Sequence, residues 1–148
     1  MIRLHYCFCS IMLLALIAGC SNNVSLNGKV TYSDDGSPVT RGTICFLKGG
    51  QIARGDIKED GAFVVGFEKE TNGLPPGKYA VFLTGTDKVT TTVVGKTVNS
   101  SGQEKDVVNI TYEPQIAKKY ESADTSGLTV EVNASTKVYD IVVDRHVK

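Results

Sequence analysis

The sequence predicts an all-β protein, an antiparallel sandwich of about seven to nine strands behind an N-terminal signal segment. Three observations lead there. Val, Thr and Tyr are common after residue 23, a composition that favours strands over helices. Short alternating or apolar runs recur along the chain, and turn residues break them at regular intervals. No window carries an apolar period of 3.6 over two or more turns. The one weak helical candidate, E-P-Q-I-A-K-K-Y-E-S, is bracketed by Pro114 and Gly127. At 148 residues the chain is close to one domain's worth.

The N-terminus comes first. M-I-R-L-H supplies a positive charge, I-M-L-L-A-L-I-A supplies an apolar core, and Ala18-Gly19 supplies small residues before Cys20. That is the layout of a secretory signal. A transmembrane span is the rival. The uncharged stretch from His5 to Gly19 has 15 residues. As a helix it reaches only ~23 Å, against the ~30 Å of a bilayer core. No Lys or Arg cluster follows it to stop transfer.

Ile17-Ala18-Gly19-Cys20 resembles the lipobox of bacterial lipoproteins, with Ile17 in place of the usual Leu. The resemblance implies cleavage between Gly19 and Cys20. It also implies an S-diacylglycerol and an N-acyl group on Cys20. Two or more chains make a stable membrane anchor where one does not. Cys7 and Cys9 would leave with the signal, so Cys45 would be the last thiol and no disulfide could form. Cys45 sits in the apolar run T-I-C-F-L with no His or basic neighbour, which reads as a small buried hydrophobe.

The strands follow in order. V-S-L-N-G-K-V-T-Y puts Val24, Leu26, Gly28, Val30 and Tyr32 on one face, and S-D-D-G-S-P-V ends it. T-I-C-F-L reads as buried on both faces. Q-I-A-R-G-D-I and A-F-V-V-G-F flank Asp60-Gly61, a strong hairpin signal. Pro75 and Pro76 make a hard break, since prolines cannot sit inside a sheet. K-Y-A-V-F-L-T-G sets Tyr79, Val81 and Leu83 opposite Ala80 and Phe82. V-T-T-T-V-V and D-V-V-N-I-T-Y are further β-rich runs, and L-T-V-E-V and K-V-Y-D-I-V-V-D close the chain around the turn-like N-A-S-T.

The organisation that results is a signal peptide over 1–19, a tether over 20–23, a sandwich over 24–144 and a tail over 145–148. Residues 95–105 and 113–126 read as long polar loops, which are often mobile or functional.

The order of motifs carries a second resemblance. N-G-K-V-T-Y-S-D-D-G-S-P-V, then G-D-I-K-E-D-G-A-F, then L-P-P-G-K-Y are similar to the carboxypeptidase regulatory-like and transthyretin-like family. The match runs from Asn27 to about Gly85. The stretch from Tyr120 through T-S-G-L resembles the end of small bacterial lipoproteins built on this domain, where it leads into a last hairpin. The resemblance implies an Ig-like or transthyretin-like (prealbumin-like) sandwich. Gly61 would permit positive φ, Phe63 would enter the core, and Gly77 and Gly127 would turn the chain. Tyr79 and Tyr120 would plug the core with hydroxyls reaching the surface or a backbone carbonyl.

Catalytic groups are sparse. His146, third from the sequence's last position counting Lys148, is the one histidine after the signal, and no nucleophile elbow accompanies it. A zinc site lacks ligands. Asp34, Asp35, Asp56, Glu59 and Asp60 lack calcium-loop spacing. No phosphate loop opens a helix, and no cofactor is expected. Some transthyretin-like relatives hydrolyse 5-hydroxyisourate, which the resemblance ties to several histidines and a final Y-R-G-S. This chain ends D-R-H-V-K. Charge balances at 16 basic against 16 acidic residues, so no basic field attracts nucleic acid.

The expected function is therefore non-catalytic: an envelope lipoprotein, held to a bacterial membrane through Cys20, whose sandwich is a structural or protein-interaction module. The expected partner is another envelope protein. The alternative is a lipoprotein binding a carbohydrate or small molecule, for which Tyr112, Tyr120 and Tyr139 are the candidate platforms, weakened by the absence of Trp. A long exposed edge or an apolar patch would favour a protein partner. A tyrosine-lined pocket would favour a ligand, and a cleft with two carboxylates would favour an enzyme.

Overall fold

The structure, a computed structural model, describes residues 22–67 and 72–147. Gly19 and Cys20, and with them the expected cleavage and lipidation, lie outside the described residues. Among the described residues nine strands run in order: β1 (Leu26–Tyr32), β2 (Thr43–Lys48), β3 (Gln51–Asp56), β4 (Ala62–Val65), β5 (Gly77–Thr84), β6 (Lys88–Val98), β7 (Glu104–Glu113), β8 (Leu128–Val132) and β9 (Ile141–Val143). A 3-10 turn at Lys118–Glu121 breaks the β pattern, and no described helix is long and apolar enough to cross a membrane.

Two sheets face each other. One has the order β4-β1-β9 and the other β3-β2-β5-β8, while β6 and β7 form a separate two-stranded ribbon. Alternation explains the core. Leu26, Val30 and Tyr32 of β1 and Tyr79, Val81 and Leu83 of β5 are buried while their neighbours are not. β2 contributes Ile44, Cys45 and Phe46 in succession, as expected of a strand covered on both sides. Phe46 joins the layers: its ring centroid lies 6.3 Å from those of Phe63 on β4, Tyr79 on β5 and Tyr139. The fold is the all-β sandwich that the sequence predicts.

Four connections differ from the sequence expectation. The sandwich is not wholly antiparallel, because β9 runs parallel to β1, from Val30↔Ile141 to Tyr32↔Val143. The last two strands therefore make no hairpin. N-A-S-T does turn, with Thr136 N–H donating to Asn133 O at 3.0 Å. The chain then crosses to the other sheet, while β8 stays on β5. Gly28 makes this crossing possible. A Cβ there would collide with the Tyr139 carbonyl and stand 2.9 Å from Phe63 Cζ.

Asp60-Gly61 turns as expected, with Gly61 at φ 79° and Asp60 Oδ1 accepting from Ala62 N–H at 3.0 Å. The hairpin it starts is splayed. It keeps rungs at Lys58–Ala62 and Arg54–Gly66, but between them β3 pairs with β2 and β4 with β1.

Residues 95–105 are mostly strand. β6 and β7 extend to Val98 and from Glu104, and the turn narrows to 99–103, capped by Asn99 Oδ1. The run of Val and Thr continues past the Gly95 and Lys96 that suggested a loop. Residues 113–126 are not a solvated linker either. Ile116 and Tyr120 are buried in the core, and Ile116 bridges Arg145. The tail expected from 145 is thus tied in place at its start, where His146 N–H also donates to Gln115 O at 3.1 Å.

Candidate functional site

Two surface features stand out: a clasp of opposite charges at one end of the sandwich, and the β6–β7 ribbon.

The clasp grows from the end of β9. Asp144 and Arg145 are sequence neighbours of opposite charge, and each holds a different element. Asp144 Oδ2 accepts from Lys119 Nζ at 2.7 Å and Tyr120 Oη at 3.1 Å, while Oδ1 accepts from Ser33 Oγ at 2.8 Å. Arg145 Nε donates to Asp34 Oδ2 at 2.8 Å; its Nη2 donates to Asp35 Oδ2 at 2.9 Å and Ser37 Oγ at 2.7 Å. The guanidinium carbon sits 3.7 Å from the Tyr32 ring centroid. The turn after β1, the 3-10 turn and the chain after β9 are drawn together.

The pKa directions follow from these contacts. Hydrogen bonds from the Ser37 hydroxyl and amide, with Arg145 nearby, hold Asp35 down to about 2. Lys119, then Ser33 and Tyr120, hold Asp144 down to about 2. Asp34 raises the Arg145 pKa and Asp144 raises that of Lys119. Asp34 and Asp35, weighed in the sequence as calcium ligands, hold Arg145 instead. Among the described residues, no three His, Cys, Asp or Glu side chains form a group able to hold a metal.

The remaining predicted positions are structural in placement. Pro75 offers its carbonyl to Tyr79 Oη at 2.7 Å, and the Pro76 carbonyl accepts from Lys48 Nζ. Gly77 and Gly127 have positive φ, 139° and 67°. Ser126, buried beside Gly127, donates to the Val81 carbonyl. Tyr120 reaches Asp144 rather than a backbone carbonyl. Cys45 is buried, and burial pushes its thiol pKa up, which suits an inert core position.

The three tyrosines weighed as a ligand platform are not brought together. Tyr120 is buried, Tyr139 packs on the core with its hydroxyl donating to Thr129 O at 3.2 Å, and Tyr112 stands on the ribbon. Two cavities among the described residues are modest: about 200 Å³ beside Lys48 and Tyr79, and about 280 Å³ beside Tyr32 and Arg41. Pockets that enclose small ligands run from ~300 Å³ upward. A wider depression of about 580 Å³, lined by Thr40, Arg41 and Glu59, has no aromatic wall.

The ribbon is the more unusual feature. Every residue of β6, and of β7 up to Tyr112, is exposed. The pairing opposes Val89 to Tyr112, Thr91 to Ile110 and Val93 to Val108. These six share one face, since side chains alternate along each strand. The opposite face carries Thr90, Thr92, Asn109 and Thr111 between Lys88 and Glu113. An amphipathic ribbon of this kind normally lays its apolar face on a core. Here Val93 is 57 %, Ile110 48 % and Tyr112 63 % exposed, and no other described element covers them. The sequence shows these strands but not that they leave the sandwich, because alternation looks the same whether the apolar face meets a core or water.

No family model matches the chain, and no curated protein matches it. Three solved structures align loosely. The major pilin subunit BcpA of Bacillus cereus aligns with a TM-score of 0.43 and 10% identity, over 84% of this chain and 30% of the pilin. A variant of the same pilin gives 0.42 and 11% over the same shares. A 9R-lipoxygenase from Cyanothece PCC8801 gives 0.33 and 12%, over 82% of this chain and 16% of that one. The chain thus spans less than a third of the pilin's length, and at these scores the likenesses carry no argument about function.

Proposed function

We propose that this chain is a membrane-anchored envelope lipoprotein whose non-catalytic β-sandwich is a structural or protein-interaction module, with the β6–β7 ribbon as its contact element. One observation carries the reading: a ribbon exposed along its length, with an apolar stripe over Val89, Thr91, Val93, Val108, Ile110 and Tyr112. Isolated two-stranded ribbons are marginal in water, and exposed apolar patches mark interaction sites. The anchor rests on the sequence, where Ile17-Ala18-Gly19-Cys20 follows an apolar core. Strand pairing begins at Val24, bridged to Leu74, so only a few residues would separate Cys20 from the sandwich. The module would sit close to the membrane, with the ribbon as its reach.

Site-specific photocrosslinking in intact cells tests this. A photoreactive residue replacing Tyr112 should yield protein adducts, and one replacing exposed Glu131 on the sandwich should not. Equal adducts from both positions, or none from the ribbon, would overturn the reading.

A further inference from the structure

We infer that the cavity at the root of the β6–β7 ribbon binds a phosphate group, with Arg41 and Lys88 as its cations and Tyr32 and Thr86 as its hydroxyl donors. The inference goes beyond the contact role of the ribbon and does not depend on it.

Several stretches of chain meet at this cavity. Tyr32 ends β1, Val39 and Arg41 lie in the connection to β2, and Thr86 lies between β5 and β6. Lys88 opens the ribbon, and Gln115 follows its second strand. The cavity holds about 280 Å³. A water molecule takes ~30 Å³ in the liquid, so a phosphate and part of what carries it have room.

The charge on the walls has one sign. The charged residues that line the cavity are Arg41 and Lys88, both basic. Among the described residues neither forms an ion pair. Glu113 is the register partner of Lys88, and Glu59 borders the wider depression that Arg41 also lines, but neither carboxylate lines this cavity. The nearby Arg145 is already held by Asp34 and Asp35. Two cations without a counter-charge on one cavity favour an anion there. A phosphate carries about −1.5 to −2 at pH 7 and offers several acceptor oxygens, whereas a carboxylate brings about half that charge.

The buried hydroxyls point the same way. Thr86 is 3 % and Tyr32 7 % exposed. Ser126, also buried, satisfies its hydroxyl on the Val81 carbonyl. Among the described residues the Thr86 and Tyr32 hydroxyls have no such partner, and no described polar atom is both unpartnered and sealed from water. The little surface that each residue keeps therefore includes its hydroxyl, and each residue lines the cavity. A hydroxyl that is buried without a protein partner calls for one from outside. Burial raises the Tyr32 pKa, so the phenol keeps its proton and can donate it. Gln115 donates from Nε2 to the Glu113 carbonyl at 2.9 Å, which fixes the side chain and leaves a second N–H.

Inorganic phosphate titrated into the full chain in a non-ionic detergent, followed by amide NMR, tests the inference. The amides of residues 39–42 and 86–88 should shift saturably while those of β2 stay still. Arg41→Gln and Lys88→Gln should each weaken binding roughly tenfold. Lys78→Gln, which removes an exposed lysine of β5, should leave it unchanged. Thr86→Val should weaken binding severalfold without lowering the thermal midpoint, a combination that a merely structural hydroxyl would not give. Acetate should bind roughly tenfold more weakly than phosphate. No saturable shift, equal affinity in the Arg41 and Lys88 variants, or acetate binding as tightly would overturn the inference. Phosphatidic acid doped into the micelles, against phosphatidylcholine, separates the sources of the group. If it shifts the same amides, the phosphate is a lipid headgroup; if inorganic phosphate alone does so, the phosphate is a soluble one.

Discussion

The guanidinium of Arg145 lies 3.7 Å from the centroid of the Tyr32 ring while its nitrogens hold Asp34 and Asp35 at 2.8 and 2.9 Å. A planar cation is thus sandwiched in function, one face on an aromatic and its edges on two carboxylates. Lysine can supply the charge but neither the stack nor the fork. Arg145→Lys should therefore lower the thermal midpoint nearly as far as Arg145→Ala, read by circular dichroism. A lysine variant indistinguishable from the native chain would show that charge alone matters there.

The acid limb of stability should come from the same clasp. Asp35 and Asp144 are each held down to about 2 in the fold, against ~3.9 in an unfolded chain. Groups with depressed folded pKa values stabilise the fold above the unfolded value, and lose that contribution as pH falls through the folded one. The thermal midpoint should hold from neutrality to about pH 5 and drop towards pH 2. Asp144→Asn should start lower at pH 7 and show a shallower fall. A parallel curve for the variant would contradict the assignment.

Gly28 should tolerate no side chain. A Cβ there would meet the Tyr139 carbonyl, backbone that cannot swing aside. Gly28→Ala should cost ~3 kcal/mol or more in denaturant unfolding, in the range of severe overpacking. Gly95→Ala is the control, since nothing lies within 4 Å of its Cβ and its φ is not positive. It should be close to neutral.

Lipidation should decide where the chain resides. Cys20→Ser should release it from the membrane fraction, whereas Cys45→Ser, at a buried core site, should not. Retention of the Cys20→Ser chain in washed membranes would contradict an acyl anchor.

How much of this was legible in the sequence depends on the length scale of each interaction. Alternation in Leu26–Tyr32 and Gly77–Thr84 announces which side chains are buried, because that is decided within one strand. Asp60-Gly61 announces its own turn for the same reason. The partner of each strand is another matter. Nothing local says that β3 and β4 separate after their shared turn, or that β9 joins β1 in parallel. The clasp was hidden because Asp34 and Arg145 are 111 residues apart. Gly28 was legible as an apolar-face position, and its close approach to Tyr139 was not. The ribbon was half visible: its strands could be read, but 95–105 looked like a loop, and exposure of an apolar face leaves no mark in the order of residues.

Hydrogen exchange on the full chain, in a membrane fraction and in detergent, tests whether the ribbon is a partnered contact element. A lone two-stranded ribbon opens readily, so its amides protect poorly. The amides of β6 and β7 should be protected in the membrane fraction and lose that protection on dilution into detergent, while β2 and β5 in the core stay protected in both. Ribbon amides that exchange at the same fast rate in both conditions would contradict it.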